Sequence, residues 1–191
     1  MDRRQILKFV TSALLNGALV GGTGAAMLMP ANATPPQAPG PRATEARRLA
    51  FVNTHTNETF DGVYWRSGAH VPDALAAINT VMRDHRSGEV HGIDPRLLDL
   101  LHTLHGLVEA TAPFQIISGY RSPASNESLR ENSTGVASRS LHMEGRAIDI
   151  RISGVPLTRL RDAALGMRAG GVGYYEASDF VHVDTGRVRR W

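Results

Sequence analysis

Apolar residues recur at helical spacing in three stretches of this 191-residue chain and alternate with polar ones in several shorter runs. Pro72 opens a helix that runs to about Arg86 and carries Leu75, Ile78 and Met82 on one face. Asp94-Pro95 sets an N-cap ahead of a proline at the first helical position. The second helix that follows reaches about Ala110, with Leu97, Leu98, Leu101, Leu104 and Val108 as its buried stripe. Leu157, Leu160, Ala164 and Met167 mark a third helix from Pro156 to about Arg168, ended by Gly170-Gly171.

Between these helices the β-prone runs are short. Leu49 to Asn53 and Phe60 to Trp65 flank the turn-like Thr54-His55-Thr56-Asn57-Glu58, which predicts a hairpin. Phe114 to Ser118 is a strand, and Ser122-Pro123 starts a short helix through Arg130. Residues 131–141 read as a polar loop, Ala147 to Ile152 as a strand, and Val172 to Tyr175 and Phe180 to Asp184 as two more, with a short one near Val188. Strands and helices do not alternate strictly. The expected fold is therefore α+β, a mainly antiparallel sheet with flanking helices.

The first 33 residues have a different character. Arg3-Arg4 followed by Gln5-Ile6-Leu7-Lys8 has the form of a twin-arginine export signal, and Ala31-Asn32-Ala33 has that of a small-x-small cleavage site. The apolar stretch between them is broken by Asn16, Gly17, Gly21, Gly22 and Gly24, too weak for a membrane anchor. Residues 34–46 are rich in Pro and Ala and read as a linker, which leaves 47–191 as the folded domain. A periplasmic location after export is expected, with no stable membrane anchor once the signal is removed.

Charge adds little. Of the formal net +3, the first 33 residues hold +2 (Arg3, Arg4 and Lys8 against Asp2), so the rest is nearly neutral and lacks the basic stripe of a nucleic-acid binder. There are no cysteines, which excludes disulfides and thiolate-bound metal.

The densest chemistry lies in Ser140-Leu141-His142-Met143-Glu144-Gly145-Arg146-Ala147-Ile148-Asp149 and in Phe180-Val181-His182-Val183-Asp184. Strand alternation sends Phe180, His182 and Asp184 to one face and Val181 and Val183 to the other. A loop His, a strand Asp and a His from a second strand make a three-ligand N/O set, which suits a zinc ion that keeps a further position open. Gly145 permits the tight turn needed to bring His142 back over Asp149.

These residues resemble a known family. The His142 segment is similar to the S-x-H-x-x-G-x-A-x-D signature of the LAS metallopeptidases, which include the zinc D-alanyl-D-alanine carboxypeptidases, the murein endopeptidases and the hedgehog signalling fold. Ser118-Gly119-Tyr120-Arg121-Ser122 matches that superfamily's S-G-Y-R-S segment, and the stretch from Gly171 to Asp184 its third-ligand strand. The resemblance covers roughly residues 47–191 and is closest to the murein endopeptidase K subgroup. It implies a hedgehog/D-Ala-D-Ala-peptidase-like fold, zinc held by His142, Asp149 and His182, and Arg121 near the substrate. It also implies cleavage of peptidoglycan cross-links, with the L,D bond between two diaminopimelates as one candidate. The expected partners are peptidoglycan stem peptides, met by a monomeric domain.

One departure bears on mechanism. Many relatives carry a catalytic His two residues before the third ligand, and here that position is Phe180. Glu176, where hedgehog-type members hold a glutamate beside the zinc, and Asp184, on the face of His182, are the two candidates for moving a proton. Asp184 has the alternative role of orienting a ligand. Ser140 is read either as a hydrogen-bonding group at the site or as a support for its loop. Asn126 is read either as a substrate contact or as a solvent-facing helical residue. His102 and His105 lack a third ligand, and His55, His70, His85 and His91 read as surface residues. Two rival functions stay open: a carboxypeptidase that trims a terminal D-alanine, and a zinc-bearing module that binds wall peptides without cutting them.

Overall fold

The computed structural model describes residues 45–133 and 136–191. The expected signal, 1–33, and residues 34–44 of the expected linker lie outside them. The first strand, β1 (Ala46–Asn53), starts earlier than the apolar pattern suggested. It forms the expected hairpin with β2 (Thr59–Arg66), Phe51 opposite Phe60. A two-residue strand, β3 (Ala69–His70), extends the hairpin. It was not expected. Ser67 and Gly68 both take positive φ, the backbone twist of a tight two-residue hairpin turn.

The helices are α1 (Pro72–Val81), α2 (Pro95–Leu107), α3 (Pro123–Asn132) and α4 (Leu157–Met167). Asp94 caps α2, its side chain accepting from the Arg96 N–H, and Ser122 caps α3 in the same way for Ser125. The remaining strands are β4 (Phe114–Ser118), β5 (Ala147–Ile152), β6 (Gly171–Tyr175), β7 (Phe180–Asp184) and β8 (Arg189–Arg190).

One eight-stranded sheet results, in the order β3-β2-β1-β4-β5-β7-β6-β8. It is mainly antiparallel, as expected, with parallel pairs where β1 meets β4 and β6 meets β8. Burial separates its two faces. Ile148, Ile150 and Ile152 of β5 and Val181 and Val183 of β7 join Leu49, Phe51, Phe114 and Ile116 in a single apolar cluster. Ile78 and Val81 of α1, Leu97, Leu98, Leu100, Leu101 and Leu104 of α2, and Leu160 and Ala164 of α4 complete that cluster, so these helices cover one face. Burying each such side chain contributes about 1.5–3 kcal/mol before conformational entropy is counted. The alternate residues of β5 and β7 point to the opposite face, where Asp149 and His182 lie. No helix among the described residues is long and apolar enough to cross a membrane.

Candidate metal centre

Two neighbouring strands place the first pair of candidate ligands. Asp149 on β5 is directly opposite His182 on β7, so their side chains leave the same face of the sheet together. On the other side of β5, the register with β4 slips by one residue between Ile116 and Ser118. This bulge sets Ser118 opposite Asp149 instead of Ile117, and puts its hydroxyl on the polar face.

His142 arrives from a 3₁₀ turn, Leu141–Glu144, rather than from an irregular loop. Gly145 ends the turn with φ of 64°, the left-handed region, and a Cβ there would lie 2.2 Å from the carbonyl oxygen of Gly92. Both the backbone and the packing therefore require glycine, and the turn that Gly145 allows delivers His142 over β5.

The hydrogen bonds fix both imidazoles. His142 Nδ1 lies 2.7 Å from the carbonyl oxygen of Gly119, which only accepts, so Nδ1 carries the hydrogen and Nε2 faces inward as a lone pair. His182 Nε2 lies 3.0 Å from Asp184 Oδ2 and donates to it, which turns Nδ1 inward. The three inward atoms crowd together. His142 Nε2 is 3.2 Å from His182 Nδ1 and 3.3 Å from Asp149 Oδ1, and His182 Nδ1 is 2.8 Å from the same oxygen. All three side chains are buried.

Two imidazole nitrogens and a carboxylate oxygen at these separations repel one another unless a proton or a metal ion lies among them. Burial disfavours charge at both groups, but the partners prevail. The histidines hold the Asp149 carboxyl well below the usual carboxylate range, and Asp149 and Asp184 raise the pKa of His182. The same donor set fits zinc: nitrogen and oxygen atoms that can all fall within 4.8 Å of one another, each imidazole anchored through its other nitrogen.

Asp184 is fully buried and saturated. Its oxygens accept from the backbone N–H groups of Gly171 and Gly186, from both terminal nitrogens of Arg189, and from His182. It meets the outward nitrogen of His182, on the far side of that ring from the inner donors.

Arg121 borders the cluster from the β4 side. Its guanidinium is 3.9 Å from Asp149 Oδ2, and its donated bonds are long, 3.3 Å to Ser118 Oγ and 3.4 Å to Asn126 Oδ1, with a buried Nε that has no partner among the described residues. Burial lowers its pKa, with Asp149 opposing that shift. Asn126 is buried rather than facing water, and its Nδ2 donates to the carbonyl of Ala137. Ser140 is buried and precedes the 3₁₀ turn, where its carbonyl accepts from Met143 N–H. Glu176 is exposed at the start of a short turn, Glu176–Ser178, and its charge acts on Arg161 of α4. No hydrogen bond of its carboxylate joins it to the three inner donors among the described residues.

Two aromatic residues, Trp191 and Tyr175, border the site on its β6 side. Trp191 stands 5.2 Å from His182, ring to ring, and donates from Nε1 to the Tyr175 hydroxyl at 2.7 Å. Tyr175 was visible in principle: alternation sends it to one face and Tyr174 to the other, and its register partner is Phe180, with which it stacks. Trp191 was not, because its place depends on β8 pairing in parallel with β6.

Comparison with known proteins shows the family. A family model described as peptidoglycan L,D-endopeptidase MepK matches residues 41–191. The peptidoglycan L,D-endopeptidase MepK of Escherichia coli K12 is 46% identical over 145 residues, which span 76% of this chain and 80% of the relative. The Shigella flexneri protein of the same name shows the same identity and coverage. The probable peptidoglycan L,D-endopeptidase MepK of Haemophilus influenzae is 42% identical over 146 residues, 76% of this chain and 78% of its own length. By these matches the chain belongs to the M15-type peptidase family of MepK.

Proposed function

We propose that this chain is a zinc-dependent murein endopeptidase that hydrolyses peptide cross-links between the stem peptides of peptidoglycan. The observation that carries this reading is the inward trio of His142 Nε2, Asp149 Oδ1 and His182 Nδ1, within 3.3 Å of one another, with both outer imidazole nitrogens already committed. The names of the relatives supply the substrate class.

Zinc held by these three residues would supply a Lewis acid for the scissile carbonyl and lower the pKa of water. The protein's own groups do the rest. Arg121, beside Asp149 with loosely held N–H groups, receives the negative charge that develops on the carbonyl oxygen or a substrate carboxylate. Ser118 and Asn126 hold its guanidinium, and Ser140 supports the loop that carries His142. Asp184 keeps His182 Nδ1 turned inward. With Asp184 saturated by donors, proton transfer falls to Glu176, the exposed carboxylate at the turn between β6 and β7.

Peptidoglycan lies outside the cytoplasmic membrane, so the reading includes export, by the twin-arginine route that Arg3-Arg4 suggests, and action as a monomer without a membrane anchor. The test is incubation of the protein with purified sacculi, with and without zinc. Zinc-dependent release of new muropeptides is expected, and their absence in both arms sinks the enzyme reading. Product masses separate the cut: endopeptidase action splits dimers, whereas a carboxypeptidase removes a single alanine.

A further inference from the structure

The β6 side of the metal centre is built from aromatic side chains. Gly173 is the register partner of His182, yet it carries no side chain. A Cβ at Gly173 would lie 2.8 Å from the Trp191 indole, so that ring occupies the space a side chain would otherwise fill next to His182. The indole is held from several directions. Trp191 N–H donates to Val172 O at 3.3 Å, Tyr174 N–H donates to Trp191 O at 3.2 Å, and the Arg189 guanidinium lies 4.8 Å from the ring while binding Asp184.

Tyr175 completes this wall. Its ring stacks on Phe180 with centroids 4.6 Å apart, and its oxygen accepts the Trp191 Nε1–H at 2.7 Å. An accepted bond fixes the phenol oxygen and leaves its own O–H free to donate. Strand order β4-β5-β7-β6 then sets the Arg121 side and the Tyr175 side on opposite flanks of the two strands that carry Asp149 and His182.

We propose that Tyr175 contacts substrate, its hydroxyl donating a hydrogen bond to a peptide carbonyl or carboxylate oxygen of the chain bound across the metal centre, and that Trp191 is the positioning residue that aims it. This rests on the endopeptidase reading for the identity of the peptide. Phe180 then serves as the platform for the Tyr175 ring.

The test uses the full chain as wild type, Tyr175→Phe, Trp191→Phe and the double variant. Four quantities are read: kcat and KM on purified cross-linked muropeptide dimers, zinc affinity by chelator competition, dimer binding to zinc-free protein by calorimetry, and the thermal midpoint. Tyr175→Phe is expected to lower kcat/KM by about 10–100-fold while zinc affinity stays within about 2-fold, since a donor to a charged or developing oxygen is lost. Trp191→Phe is expected to lower it by about 3–10-fold, and the double variant to match Tyr175→Phe within about 2-fold, because the indole acts through the phenol. Wild-type kcat/KM in Tyr175→Phe, loss of zinc in parallel with activity, or multiplying losses in the double variant overturns the proposal. If either single variant does not fold, the other still carries its own expected loss. A wild type that binds dimers without cutting them removes the endopeptidase reading alone, and binding then decides: weaker in Tyr175→Phe supports the contact, equal overturns it. A wild type that neither binds nor cuts overturns both.

Discussion

Asp149 and His182 stand opposite one another on β5 and β7, with a carboxylate oxygen 2.8 Å from Nδ1, so sheet register alone sets two of the three inner donors. Their approach suits a proton or a metal ion between them. Asp149→Ala is therefore expected to abolish zinc binding at micromolar metal and to stop cleavage, while Asp149→Asn, of the same shape, fails equally because the amide lacks the charge. Zinc content after dialysis and muropeptide release check both. A zinc-replete, active Asp149→Asn protein would refute the assigned ligand set.

Asp184 and Glu176 differ in a way that two substitutions separate. Asp184 is buried under five donor atoms, one of them His182 Nε2–H, so Asp184→Asn weakens an anchor. Loss of such an outer partner costs roughly 10–100-fold in metal affinity. Glu176 is exposed and free of those ties, so Glu176→Gln is expected to leave zinc affinity intact and to lower kcat by about 100-fold or more, the contribution of a proton carrier. Chelator competition together with kcat measures the split. An unchanged kcat in Glu176→Gln removes that residue from the mechanism.

Much of this site was legible in the chain because alternation is local. Phe180, His182 and Asp184 share a face by the two-residue period, and Ile148 and Ile150 bracket Asp149 for the same reason. The helical stripes of α2 and α4 followed from spacing in the same way. What escaped was set by distant pairings. Ser118 faces Asp149 only through a register slip against β5, Asn126 is buried only because Arg121 and Ala137 meet it, and Trp191 reaches His182 through β8. The β-hairpin to Ala69 was missed because two residues are too few for a periodicity to show.

Gly145 is held to glycine twice, by φ of 64° and by the Gly92 carbonyl oxygen, 2.2 Å from where a Cβ would be. Gly145→Ala must move the His142 turn or the segment at Gly92. A cost of about 2–4 kcal/mol is expected, combining left-handed strain with the clash. Urea unfolding of the zinc-free protein measures it, and zinc affinity should fall as well. Wild-type values for both would show that the turn has room to adjust.

The Trp191 indole gives the centre a built-in reporter. It lies 5.2 Å from His182, whereas the only other tryptophan, Trp65, sits on β2 at the far side of the sheet order. Titration with Cu²⁺ or Co²⁺ should quench the emission of a Trp65→Phe protein at one equivalent of metal, and zinc should displace the quencher. Trp191→Phe should show no such change. Quenching that persists in Trp191→Phe would place the metal elsewhere.

His85 sets an acid limit on stability that is separate from the metal centre. It stacks on His55 with centroids 3.7 Å apart, and burial first, then Arg86, His55 and Arg121, push its pKa down to about 4, against a smaller upward pull from Asp84. A folded-state pKa below the unfolded value of about 6.5 means that the unfolded chain binds the extra proton between pH 6.5 and pH 4. Stability therefore falls as the pH drops through that window and does not recover below it. His182 in the zinc-free protein runs the other way: its raised pKa gives stability already complete below the unfolded value, so it adds no slope there. Urea midpoints at pH 6.5 and pH 4.5 should accordingly differ more in the wild type than in His85→Asn, which has no proton to take up. Equal differences in the two proteins would mean that the stacked pair tolerates the charge.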